Sequence, residues 1–209
     1  MNRQQFNSRN DIGEVLTFQK SGTTSSFDPS VSFASGLRRV SWRLDNGTNI
    51  EQTAGNGLTY TGFTSDTGIR TIEMRGNSFM NMSIFDTSND NIYGNLNLSP
   101  LKSFSNGSSI ILFSNPNLTG ITNPSVDNTF NNYNLNSSGL IGNLDMSPIS
   151  GNISSFIIHT NPTLTSITHN NVSAVISQYV AYGCNLTGNL DLPFSGLGTV
   201  FQVFSNPNL

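Results

Sequence analysis

Few side chains in this sequence are equipped for acid–base or covalent chemistry. There are two histidines, His159 and His169, and one cysteine, Cys184. No carboxylate stands at a spacing that would pair it with either imidazole, and the chain has no H-x-x-x-H, G-x-S-x-G or Gly-rich phosphate loop. A single cysteine allows no internal disulfide, and no cation stands near Cys184 in sequence to generate a thiolate. Asp145 and Asp191 hold the same place in the phrases GNLDMS and GNLDLP, where the earlier copy GNLNLS has Asn97. That regularity reads as a turn or solvated position rather than a metal site. Asn117 and Asn185 open N-L-T sequons, which an Asn- and Thr-rich chain produces by chance. Catalysis, a metal and a cofactor are therefore not expected.

Composition points to surface chemistry of another kind. Only 10% of the 209 residues are charged, against roughly 25% in an ordinary soluble domain. Asn, Ser, Thr and Gly stand in their place. Eight of the nine Lys and Arg residues lie between Arg3 and Arg75, and the ninth is Lys102. After it the only charged side chains are Asp127, Asp145 and Asp191, so the second half is not expected to bind nucleic acid, whose phosphates need cations. No apolar run is long enough for a membrane span, and the first residues, MNRQQFNSRNDIGEV, contain no apolar core of a secretory signal.

What the chain does contain is a repeat. SNPNL stands at 114–118 and again at 205–209, with TNPTL at 160–164. Ile110-x-Leu112-x-x-Asn115 matches Phe156-x-Ile158-x-x-Asn161 and Phe201-x-Val203-x-x-Asn206. Tyr133-x-Leu135-x-x-Ser138 and Tyr179-x-Ala181-x-x-Cys184 fall between them. The final positions advance by 23, 23, 23 and 22 residues, so two alternating half-repeats make a period near 46, within the range of solenoids. In such a coil the two apolar residues point inward from a short parallel strand, and Leu118, Leu140, Leu164 and Leu186 fill the same core after the turn. The ladder Asn115, Ser138, Asn161, Cys184 and Asn206 must then satisfy the backbone groups that the turn frees. Asn can both donate and accept there, and the Pro that follows it in alternate coils sets the turn.

This motif and spacing resemble the leucine-rich repeat family, L-x-L-x-x-N/C-x-L, over about 79–209. The resemblance implies a mainly β solenoid with a parallel sheet and coils of about 23 residues. The earliest coil is expected to draw on Phe79, Met82 and Ile84. The convex segments are short and broken by Pro, Gly and Asn, so little helix is expected; only 171–177 could form a helical turn.

Residues 14–78 read as a β-rich cap, preceded by a polar arm over 1–13. Strands are expected at 14–19, 38–44 and 69–75, with a tight turn at 45–48. WRLDNGT at 42–48, Tyr60 and GIRTIEMRG at 68–76 resemble the PKD type of β-sandwich.

With the strands placed, two outward rows follow. Phe113, Asn136, His159, Tyr182 and Phe204 form one, and Ile111, Asn134, Ile157, Val180 and Gln202 the other. Four of the five residues in the first row carry rings, and neither row carries an acid or a Lys or Arg. Such a face suits a glycan or an apolar protein surface. Polar, Asn-rich repeats of this kind resemble bacterial surface adhesins and phage particle proteins. Without an export signal the reading leans to a phage virion surface protein for host attachment. The alternatives are a purely structural vertex or decoration protein and a cell-surface adhesin. Other virion proteins, a second copy of the chain covering the last coil, and a host receptor or glycan are the expected partners.

Overall fold

The computed structural model describes residues 14–21, 27–33, 39–44, 49–53, 68–76, 82–169, 175–188, 190, 192 and 196–209. The polar arm, the turn at 45–48, Tyr60, Phe79 and Asp191 lie outside them. Among the described residues there are fifteen strands and no helix. Five lie in the N-terminal part: β1 (Glu14–Ser21), β2 (Ser30–Phe33), β3 (Arg39–Leu44), β4 (Asn49–Thr53) and β5 (Ile69–Gly76). The solenoid then alternates between two faces. Its main sheet holds β6 (Met82–Asp86), β8 (Phe104–Ile111), β10 (Phe130–Asn134), β12 (Ile153–Ile157), β14 (Val175–Val180) and β15 (Gly196–Gln202). Opposite run β7 (Ile92–Asn97), β9 (Leu118–Thr122), β11 (Ile141–Asp145) and β13 (Thr163–Thr168).

The main sheet has the order β15-β14-β12-β10-β8-β6-β2 and is parallel from β6 to β15. Its register keeps the repeat in line: Phe85 pairs with Ile110, Ile110 with Tyr133, Tyr133 with Phe156, Phe156 with Tyr179 and Tyr179 with Phe201. This is a parallel-strand solenoid with coils of about 23 residues. On the opposite face β7 pairs with β9 and β11 with β13, all parallel. The GNLNLS and GNLDMS phrases thus supply the second-face strands β7 and β11. Residues 175–177 belong to β14 rather than to a helical turn.

Residues at i and i+2 of four successive coils are buried as apolar pairs, Ile110 with Leu112, Tyr133 with Leu135, Phe156 with Ile158 and Tyr179 with Ala181, whereas in the last coil Phe201 is 43% exposed and Val203 half-buried. The inward rings form a column along the axis, with centroids 5.9 Å apart for Tyr133–Phe156, 5.3 Å for Phe156–Tyr179 and 5.6 Å for Tyr179–Phe201. Both buried tyrosines find a polar partner, as a buried phenol must. Tyr133 donates to Asn123 Oδ1, and the Tyr179 hydroxyl lies 3.2 Å from His169 Nε2. His169, placed in a connecting loop by sequence, therefore completes a core contact.

The N-terminal strands run into both solenoid faces. β1, β3, β4 and β5 form an antiparallel set in which β1 also pairs with β7, giving the order β4-β3-β5-β1-β7-β9. β2 pairs antiparallel with β6, with Val31 opposite Phe85. One continuous core reaches from Leu16 to Leu186, and Phe18, Phe27 and Trp42 pack in it with ring centroids 5.4–6.3 Å apart. On β5, Ile72 and Met74 point in while Glu73 receives Arg43 and Arg75, each with its shortest contact at 2.6 Å.

Candidate partner-binding face

The ladder residues determine how the outward rows are held. In Asn115 the amide Nδ2 donates to Leu112 O at 2.8 Å in its own coil and to Thr87 O at 2.9 Å in the preceding one. Its Oδ1 accepts the Ile92 N–H at 2.8 Å. Asn161 repeats the pattern on Ile158 O, Leu135 O and the Leu140 N–H, and Asn206 on Val203 O, Ala181 O and the Leu186 N–H. Ser138 and Cys184 make only the donor half, to Leu112 O at 3.2 Å and to Ile158 O at 3.4 Å. Burial raises the Cys184 thiol pKa. Alkylation of Cys184 by iodoacetamide at pH 8 should run at least tenfold slower in the folded protein than after urea unfolding; equal rates would show an accessible thiol.

The two half-repeats differ for a reason the bonds supply. In the Asn-Pro coils, Leu118, Leu164 and Leu209 each donate their N–H to the carbonyl of the rung three residues back, Asn115, Asn161 and Asn206. In the other coils the apolar residue follows the rung by only two positions, so no such turn closes. The stranded N–H groups of Leu140 and Leu186 are taken instead by Oδ1 of the next Asn rung. Every second rung must accept as well as donate, and Asn is the residue that does both.

The residue before each rung adopts the left-handed backbone conformation: Ser114, Ser137, Thr160, Gly183 and Ser205, with φ between 53° and 63°. This repeated turn aims the preceding residue outward on the same side in each coil. The rings that result are in contact. His159 and Tyr182 stack with centroids 4.4 Å apart and planes 4° from parallel, and Tyr182 and Phe204 at 4.8 Å and 2°. These spacings follow the separation of neighbouring strands. Phe113 stands apart from this trio because Asn136 occupies the intervening position, its Nδ2 tied to Asn134 Oδ1 at 2.8 Å.

Parallel stacking turns ring faces toward each other and ring edges, with the Tyr182 hydroxyl, toward solvent. The outer face of Phe204, 59% exposed, is left uncovered within the trio. Burial lowers the His159 pKa, and its Nδ1 lies 2.9 Å from Thr160 Oγ1. That ring is thus neutral at neutral pH, and the trio carries no charge.

In the second row Ile111, Asn134 and Ile157 are half-buried and Gln202 is exposed. Val180 departs from the expected exposure. It is only 4% exposed, because Ile157 and Gln202 flank it on the paired strands, so it supports the face without offering contact area. A third outward row was not anticipated: Ser109, Asn132, Ser155, Gln178 and Val200, with Ser155 Oγ bonded to Gln178 at 2.9 Å. It lies one more step of two back in each coil, so the same alternation would have found it.

The remaining candidates for chemistry have local roles. Asp145 Oδ1 accepts the Ser147 N–H at 2.9 Å, as Asn97 Oδ1 accepts that of Ser99 at 3.0 Å, so the shared position caps a turn. Among the described residues no three His, Cys, Asp or Glu side chains are grouped to hold a metal ion. No helix of the described residues is long and apolar enough to cross a membrane. The fold and face define a class: a parallel-strand solenoid whose outward sheet bears an uncharged ring stack, with the carboxyl of Asp86 on β6 in the row of Ile111 toward the other end. Comparison with known proteins finds no matching family model, curated sequence or solved structure.

Proposed function

We propose that this chain is a non-enzymatic attachment module of the leucine-rich-repeat type, displayed on the surface of a phage particle. In this reading the outward sheet contacts a host receptor or a neutral glycan, and the N-terminal strands are a PKD-like cap. The observation that carries the reading is the stack His159–Tyr182–Phe204, three uncharged rings in contact on the outside of the sheet. Rings already stacked present edges, so a sugar ring would lie against the free face of Phe204 and be held laterally by the Ser109–Gln178 row. A protein partner would lie along the edges and on Ile111 and Ile157.

The test uses Tyr182→Ala and Phe204→Ala together, with circular dichroism to check folding. Adsorption of the purified chain to host cells and binding to a neutral-glycan panel are the readouts. A loss of at least tenfold, about 1.4 kcal/mol, with the fold intact is expected. Unchanged adsorption would remove the face from the function.

A further inference from the structure

The first rung of the ladder is Asp90, which the sequence repeat does not reveal. Thr87 and Asn89 donate their N–H groups to Ile111 O and Phe113 O, as Leu112 and Ser114 donate to Asn134 O and Asn136 O one coil later. Asn89 has the left-handed φ of 60° that Ser114 has one coil later, at 56°. Asn115 reaches back to Thr87 O as Ser138 reaches back to Leu112 O. The first coil is therefore Phe85-x-Thr87-x-x-Asp90. Met82, fully buried, pairs with buried Phe104 and joins the core from the start of β6, whereas the expected use of Ile84 is corrected, since it pairs with Ser109 of the outward row.

At the Asn rungs Oδ1 accepts an N–H from the preceding coil. At Asp90 no coil precedes, and Oδ1 accepts the Asp28 N–H at 2.7 Å instead. Asp28 lies between the Phe27 bridge and β2, so the N-terminal segment occupies the place of a preceding coil. At the Asn rungs the other atom, Nδ2, donates to carbonyls. Asp90 has Oδ2 there, buried and with no hydrogen-bond partner. An ionised carboxylate cannot donate, whereas a protonated one can.

We propose that Asp90 is a proton-operated latch between the N-terminal strands and the solenoid: a proton on Oδ2 gives this rung the donor that every other rung has, removes a buried charge and so holds β1 and β2 on the first coil, and its loss loosens them. The charged groups around Asp90 are Lys20 of β1, fully buried, and the carboxylates of Asp28 and of Asp86 at the end of β6. The next coil presents uncharged Asn115. Asp90 is itself 3% exposed. Burial pushes its pKa up to about 7, opposed by the Asp28 N–H and Lys20 and assisted by the charges of Asp28 and Asp86.

The sign follows from the proton count. The folded state holds this proton more tightly than the unfolded chain, so the latch is fully engaged below the unfolded carboxyl range near 4. It is lost as pH rises through about 7. Burial lowers the Lys20 pKa, with Asp90 opposing, and that group acts in the opposite direction at pH below its ordinary 10.5.

Hydrogen exchange of the full chain between pH 5 and 8, corrected for intrinsic rates, tests the latch. Protection of the Asp28 amide and of β1 and β2 should fall by up to about tenfold per unit between pH 5 and 7 and level off above about 7, while amides of β10 and β12 stay constant. In Asp90→Asn, which carries a donor at every pH, the dependence should vanish. A flat wild-type profile, or one retained in Asp90→Asn, would overturn the latch. If that variant does not fold, carbon NMR of the wild-type Asp90 carboxyl decides: titration near 7 supports the proposal, and titration below 5 overturns it.

Discussion

Replacing Gly151 with alanine should destabilise the solenoid by more than about 3 kcal/mol and lower its melting temperature by roughly 10 °C. A Cβ on Gly151 would stand 2.0 Å from the carbonyl oxygen of Asn128 and 2.4 Å from its carbonyl carbon. That is main chain of the preceding coil, and it has no way to retreat. Ser150 N donates to Val126 O at 2.9 Å and Phe130 N to Asn152 O at 2.8 Å, pinning the two coils together on both sides of the contact. Gly139 is placed alike, its Cβ 2.1 Å from Pro116 O. Gly142 separates space from conformation. It has φ +71° but nothing within 4 Å of an added Cβ, so Gly142→Ala should cost only about 1–2 kcal/mol. Thermal unfolding of the three variants checks the order; equal losses would show that the coils can part locally.

Asn115→Ala should cost about 3 kcal/mol, whereas Ser138→Ala, one coil on, should cost about 1 kcal/mol. Removing the Asn115 amide strips the buried Ile92 N–H of its acceptor and takes a donor from both Thr87 O and Leu112 O. Removing the Ser138 hydroxyl takes a bond from Leu112 O, which still receives Asn115 Nδ2. Urea titrations give the two stabilities, and exchange at the Ile92 amide should rise sharply only in Asn115→Ala. Similar losses in both would mean that the accepting half of the Asn rung contributes nothing.

The sequence made the coils legible because each one repeats the same demand: two inward apolar residues and a rung. It made the outward ring row legible for the same reason, since strand alternation fixes which side a residue faces. How the rings tilt was not legible, and the 2–4° stacking that turns their edges outward comes from the packing of neighbours. Val180 shows the same limit, facing outward by alternation and yet covered by residues on the adjacent strands. The first coil escaped notice because Thr87 replaces an apolar residue, Asp90 stands where the alternation puts a hydroxyl or thiol, and the step to Asn115 is 25 residues rather than 23. The merger of the N-terminal strands with both solenoid faces escaped because residues far apart in sequence make it, Gln19 with Tyr93 and Val31 with Phe85.

The alternation of turns has a consequence for how a chain of this design can change length. Excising one coil would bring two Asn-Pro turns, or two of the shorter kind, side by side. In the first arrangement an Oδ1 would face an amide already engaged by its own turn; in the second an amide would face a hydroxyl or thiol with no acceptor in place. Growth or shrinkage by whole pairs, about 46 residues at a time, leaves every donor matched. Gene duplication within such an array should therefore leave its mark in even-numbered steps.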